Sequence, residues 1–169
     1  MDVRIVALRL GLAFFLGSLL GLERELRGQS AGLRTHLLVC LGSCLFTLSS
    51  IYAALPLHGG IPQGAEADIT RIASQVVVGI GFLGGGSILR HGASVRGLTT
   101  AANLWLTASI GMAAGMGFVW GAALTAALAL VVLVGLKPVE RFIERFRRTN
   151  RIPSDQDLSS DEKPAEPQG

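Results

Sequence analysis

The chain has 169 residues, half of them hydrophobic and only 16% charged, with a mean hydropathy of +0.50 and a net charge of +3. A soluble domain usually carries about 25% charged residues, and here 26–65 and 69–139 contain no carboxylate at all. These features exclude an ordinary water-soluble domain, and the basic balance is accounted for by cytoplasmic loops beside anionic lipid, so it implies no nucleic acid.

Five apolar tracts, near 4–22, 36–55, 71–89, 99–117 and 119–136, match the roughly 20 residues that a spanning helix needs. The expected fold is an all-α membrane protein, a five-span transmembrane helix bundle. Alternating the loops puts 23–35, 90–98 and the tail from 137 on one side, with twelve of the fifteen Lys and Arg. The positive-inside rule then sets the N-terminus outward and the C-terminus in the cytoplasm. The expected divisions are a membrane domain over 1–136, a basic juxtamembrane helix over 137–152 and a disordered tail over 153–169.

The first tract has no clear basic n-region and no A-x-A-like cleavage site, so it reads as a retained span rather than a signal peptide. Ala13, Gly17 and Gly21 are spaced by four, which offers a flat face for close helix contact. Arg9 is a cation inside the span, which either reaches the outer interface or pairs with Asp68. The following loop, GLERELRGQSAGLRTH, crowds Glu23, Arg24, Glu25, Arg27 and Arg34 together. It reads either as a solvated stop-transfer loop or as one ion-paired with the second basic loop, RHGASVRGLTT.

In the second tract Cys40 and Cys44 lie one turn apart and read as small buried apolar residues. Only His36 shares their face, too little for a metal site, and an i,i+4 disulfide would strain the helix.

Asp68 heads the third tract as a helix N-cap with Arg71 three residues on, or else forms an outer polar site with Arg71, Gln75 and Arg9. Further along, Gly79, Gly81 and Gly84 fit G-x-G-x-x-G. A dinucleotide loop needs a βαβ unit and an acid about 20 residues on, and no acid occurs before Glu140. The glycines therefore read as packing positions, Gly81 with Gly85 and Gly111 with Gly115. The triplet Gly84–Gly85–Gly86 reads as packing too, or as a break or hinge in the helix.

Thr99 and Thr100 open the fourth tract as capping hydroxyls, and Asn103 is placed to bond across helices. Trp105 is expected inside the bundle, and Trp120 and Tyr52 at the outer interface. The turn between the fourth and fifth tracts is very short, which implies a tight helical hairpin. Beyond it, KPVERFIERFRRTNR sets Val139, Phe142, Ile143 and Phe146 on one face and basic residues on the other. It either lies on the inner membrane surface as an amphipathic helix or extends the fifth helix into the cytoplasm.

The stretches GLERE, AGLRTHLLVCLGS, DITRIASQVVVGIGFLGGGSI, GLTTAANLW and IGMAAGMG, in this order, resemble the MgtC/SapB family of bacterial inner-membrane proteins. The resemblance covers about residues 10–136 and implies a five-span domain and a role in growth under magnesium limitation. It also implies action as a regulator of membrane proteins, such as the proton-translocating ATP synthase or transporters, rather than as a pump. Carried over by position, its characteristic polar residues are Glu23, Arg24, Glu25, Arg34, Thr35, Asp68, Arg71, Thr99, Thr100, Asn103 and Trp105. Many members continue into a soluble ACT-type domain; this sequence is expected to end in the basic helix and short tail, so roles that need that domain are not carried over.

The expected function is therefore that of a multi-pass inner-membrane regulator, with the bilayer, other inner-membrane proteins and further copies of itself as partners. The alternative is an oligomeric channel or transporter for Mg²⁺, H⁺ or a small solute. No tract contains a carboxylate to hold dehydrated magnesium, which strips its water reluctantly. No nucleophile, base and orienter assemble from the sequence, so neither enzyme activity nor a cofactor or resident metal is expected.

Overall fold

The computed structural model describes residues 2–53, 70–91, 94–136 and, beyond these, 138, 139, 142, 143, 145 and 146. The chain divides into two units, Met1–Val131 and Val132–Gly169.

The described elements are α1 (Val3–Leu26), α2 (Leu33–Ala53), α3 (Thr70–Gly86), β1 (Leu89–His91), β2 (Ser94–Arg96), α4 (Leu98–Met116) and α5 (Val119–Gly135). The helices α1 and α2 are long and apolar enough to cross a bilayer, whereas Ser74–Gly86 and Val119–Gly135 are shorter apolar helices. The helical expectation holds in outline, with four local differences. The first concerns GLERE, which is helical and carries α1 to Leu26, because Glu23 and Arg27 pair at i,i+4. Second, RHGASVR contains two short antiparallel strands, with Leu89 opposite Arg96 and His91 opposite Ser94.

The third difference is the glycine triplet. It does not interrupt α3; it forms its last turn, where Ser87 N–H donates to Leu83 O and Gly84 O and Ser87 Oγ donates to Gly84 O at 2.7 Å. The fourth is the α4–α5 connection. It is as short as expected: Gly117, at φ 84°, takes the left-handed cap, and Phe118 N–H reaches Ala113 O at 2.9 Å. Yet α5 makes few close backbone approaches to the other described helices, although its Ala122, Ala126 and Ala129 are buried. The Phe118 ring fills the space beside Gly121, at the start of α5.

In the first unit α2 is central, packing against α1, α3 and α4, with α4 also touching α1 and α3. The largest fully buried side chains among the described residues are Leu20, Ile110, His36, Thr47, Thr107, Cys40 and Cys44, and Ala13, Ala114, Ala122 and Ala126 are buried beside them. Small side chains are what close approach of helices in lipid requires, since apolar burial there supplies little force between helices. Ala31, Ile80, Leu104 and Ala108 form a second buried cluster with Val39 and Val76 against it.

Candidate functional site

Two glycine pairs, one on α1 and one on α4, press on α2. A Cβ on Gly17 would sit 2.8 Å from Cys40 Cβ, and one on Gly21 2.8 Å from Leu33 Cα. From α4, a Cβ on Gly111 would overlap the Cys40 carbonyl oxygen, and one on Gly115 would sit 2.7 Å from Cys44 O and 2.8 Å from Thr47 Cβ. The packing expectation holds for these four positions. Among the described residues no atom lies within 4 Å of a Cβ placed on Gly81, Gly85 or Gly86; Gly84 makes ordinary contact with Ala101.

Such close contact brings polar side chains of α1, α2 and α4 together at one end of the bundle. Arg24 is 4% exposed, and its Nη2 donates to Thr100 Oγ1 at 2.7 Å and to Gln29 Oε1 at 3.1 Å. Glu23 pairs with Arg27, and its side chain is only 10% exposed. Apart from that ion pair, the Glu23 carboxylate and Arg24 Nε have no further hydrogen-bond partner among the described residues. Glu25 accepts from Leu33 N–H at 2.9 Å, so a carboxylate of α1 caps the N-terminus of α2 and meets its dipole favourably. Arg24 of α1 is thus joined to Thr100 of α4 by a hydrogen bond.

One turn deeper, buried His36 lies with Nδ1 2.8 Å from Gly32 O and Nε2 2.9 Å from Asn103 Nδ2. A carbonyl can only accept, so Nδ1 carries the proton, and in the neutral ring Nε2 accepts from the Asn103 amide. Asn103 therefore bonds across helices as expected. Above it the polar bonds turn inward on single helices: Thr107 Oγ1 donates to Asn103 O and Thr47 Oγ1 to Ser43 O, each at 2.8 Å.

At the opposite end Arg9 Nη1 donates to Gly115 O at 2.8 Å. Neither expectation for Arg9 named this partner. The guanidinium stands at the C-terminus of α4, where free carbonyls and the helix dipole favour a cation. The arrangement fastens α1 to α4 at both ends, Arg24 to Thr100 and Arg9 to Gly115, with α2 packed against both helices.

Other expected site residues are not gathered here. Arg34, Thr35, Arg71, Gln75 and Thr99 are exposed. Thr99 and Thr100 do not cap α4; its N-cap is Gly97, at φ 90° and with no side-chain bond, because a Cβ there would overlap the Ser87 carbonyl. Trp105 is 51% exposed, not enclosed, since Asn103, Leu104, Thr107 and Ala108 take the inner face of α4. Trp120 and Tyr52 are 84% and 55% exposed near helix ends. Asp68, and with it the expected outer site, lies outside the described residues. His36 and Gln29 were not singled out as site residues. The available signal for His36 was its place one turn before Cys40 on the buried face. Among the described residues no three His, Cys, Asp or Glu gather as a metal set.

The sequence profile of the MgtC family matches residues 10–142. The chain belongs to the MgtC family. Its relatives include slr0014 of Synechocystis sp. (strain PCC 6803), 46% identical over 80% of this chain and 54% of that protein. Protein MgtC of Brucella abortus (strain 2308) is 39% identical over 78% of this chain and 51% of its own. YhiD of Escherichia coli (strain K12), provisionally named a magnesium transporter, is 46% identical over 65% of this chain and 50% of its own. The chain thus spans about half the length of these curated relatives. No solved structure matches it. Family membership and the two long apolar helices together support a membrane protein.

Thr100→Val tests the cross-link directly. It removes the acceptor of a charged donor, an interaction worth about 1.5–3 kcal/mol, and should lower the unfolding free energy in detergent by that order. Thr99→Val, on the exposed face of the same turn, should leave it within about 0.5 kcal/mol.

Proposed function

We propose that the chain is a five-span inner-membrane protein, N-terminus out and C-terminus in, that regulates other membrane proteins in adaptation to magnesium limitation. Its partners on this reading are inner-membrane transporters or the ATP synthase, met through a helix face inside the bilayer. The observation that supports it is the outer face of α3. Of the three G-x-x-x-G pairs that lie within described helices, Gly17–Gly21 and Gly111–Gly115 press on α2, while no described atom lies within 4 Å of a Cβ placed on Gly81 or Gly85. Beside them Val78 and Phe82 are 69% and 85% exposed. Next to α3 runs an apolar groove of about 500 Å³ between α2 and α3, lined by Leu38, Phe46, Gln75, Gly79, Ile80 and Leu83. Lipid is met as well by leucine as by glycine, whereas another helix is met better by glycine.

The α1–α2–α4 core argues for regulation over conduction through one chain. Glycine contacts close its seam, and the hydroxyls of Thr47 and Thr107 are bonded within their own helices. The second reading, an oligomeric channel or transporter for Mg²⁺, H⁺ or a small solute, is favoured by the name given to the relative YhiD.

One set of experiments separates them. Tagged protein captured from membranes should bring down one membrane complex. Gly85→Leu should cut that recovery at least tenfold while leaving the protein folded, and should fail to restore growth of a deletion strain in low magnesium. Robust Mg²⁺ or H⁺ flux through liposomes holding only this protein would overturn the regulatory reading.

A further inference from the structure

Residues 137–151, KPVERFIERFRRTNR, carry six basic residues against Glu140 and Glu144. Residues 138, 139, 142, 143, 145 and 146 are helical. Val139, Phe142, Ile143 and Phe146, at i, i+3, i+4 and i+7, are 48%, 69%, 50% and 62% exposed. That spacing sets them on one helical stripe, and the stripe is open.

The sequence from Gly135 to Pro138 bears on the direction of this segment. The helix α5 ends at Gly135, and Leu136 is a turn residue whose N–H reaches back to Val132 O at 3.4 Å. Proline then follows at 138. Glycine at the end of one helix and proline in the first turn of the next form a stop-and-start signal. Proline has no N–H to continue the α5 ladder, and its ring would crowd the carbonyl four residues back. A straight extension into water would also leave two phenylalanines, an isoleucine and a valine uncovered.

Unable to continue α5 straight, the segment finds its nearest apolar phase in the bilayer that α5 has just left, within a few residues along the chain. The charge complement of its basic side is an anionic headgroup layer. We infer that residues 138–151 dock in the plane of the cytoplasmic leaflet. Val139, Phe142, Ile143 and Phe146 enter the acyl boundary, and the arginines bind anionic phospholipid headgroups. The docking rests on the proposed reading that α5 spans the bilayer, and the choice of leaflet on the proposed orientation.

The test uses the whole chain in nanodiscs, with a fluorescent label on a cysteine introduced at Phe142, Phe146 or, opposite them in the pattern, Glu144. Cys40 and Cys44 are fully buried, so the parent protein supplies the background. In discs containing phosphatidylglycerol, labels at 142 and 146 should be shielded from an aqueous quencher and reached by a lipid-borne one, with the reverse at 144. Removing anionic lipid, or substituting Arg147→Gln and Arg148→Gln, should lower the docked-to-free ratio, by about fivefold for each arginine. Three outcomes would overturn the inference. They are equal aqueous quenching at all three positions, shielding indifferent to lipid charge, and shielding that rises with protein concentration in neutral detergent, which would assign the stripe to a second copy. Nanodiscs offer the same lipid on both faces, so failure here is distinct from failure of the orientation, which labelling of the tail in intact cells reads separately.

Discussion

Gly111→Leu should prevent the folded bundle from accumulating, while Gly85→Leu, the same change at an equally apolar glycine, should leave its stability near that of the parent. At Gly111 the added side chain begins on the Cys40 carbonyl and continues toward Ser43 Cβ, 3.0 Å from its first carbon. Neither atom is the free end of a flexible side chain. The two helices would have to separate, opening the contacts of Gly115 with Cys44 and Thr47 as well. Overpacking usually costs about 1–3 kcal/mol, and here the obstacle is backbone, so about 3 kcal/mol or more is expected. At Gly85 no described atom lies within 4 Å of the added Cβ, and losing a glycine from a helix is itself mildly favourable. Unfolding by sodium dodecyl sulfate from neutral micelles, followed by circular dichroism, measures both. Equal losses would mean that α4 does not press on α2 as described.

That contrast also marks what was legible in the sequence. Spacing by four identified Gly17, Gly21, Gly111 and Gly115 as contact positions, because close approach leaves a local periodic trace. The same spacing at Gly81 and Gly85 carried no sign of whether the partner is in this chain. Helix existence was legible from long acid-free runs. The short strands around RHGASVR were not, since three residues on each side give no period to read. Arg9 shows a different limit. Its partner is 106 positions away and is a main-chain carbonyl, and every residue has one, so composition could only point to a carboxylate. His36 drew notice only as an insufficient metal ligand. Its role depends on Asn103, 67 positions on, and on the α2–α4 distance that Gly111 sets. Thr100 and Asn103 were legible as polar residues in an apolar helix, but Arg24 as their neighbour needed the fold.

Arg24→Met should cost about 3–5 kcal/mol, the range for removing one member of a buried charged set. Methionine replaces the length and apolar stem of arginine but donates nothing. Thr100 and Gln29 lose their donor, and the buried Glu23 carboxylate keeps Arg27 alone as counter-charge. Glu23→Gln by itself should cost less than about 1 kcal/mol, because Arg27, 22% exposed, can turn to water. In the double variant no under-compensated carboxylate remains, so the total should fall short of the sum by about 1 kcal/mol, a coupling typical of neighbours that share a partner. Arg24→Lys should recover only part of the loss, since an ammonium on a different stem does not reproduce the reach of a guanidinium to both acceptors. A loss below about 1 kcal/mol for Arg24→Met would place the guanidinium in headgroup water, as a snorkelling arginine, and α1 would then be tied to α4 only through Arg9. With one tie, the α1–α4 contact becomes a pivot about Gly115; with two, α1 and α4 move as one body, and α3 is the helix left to respond to a partner.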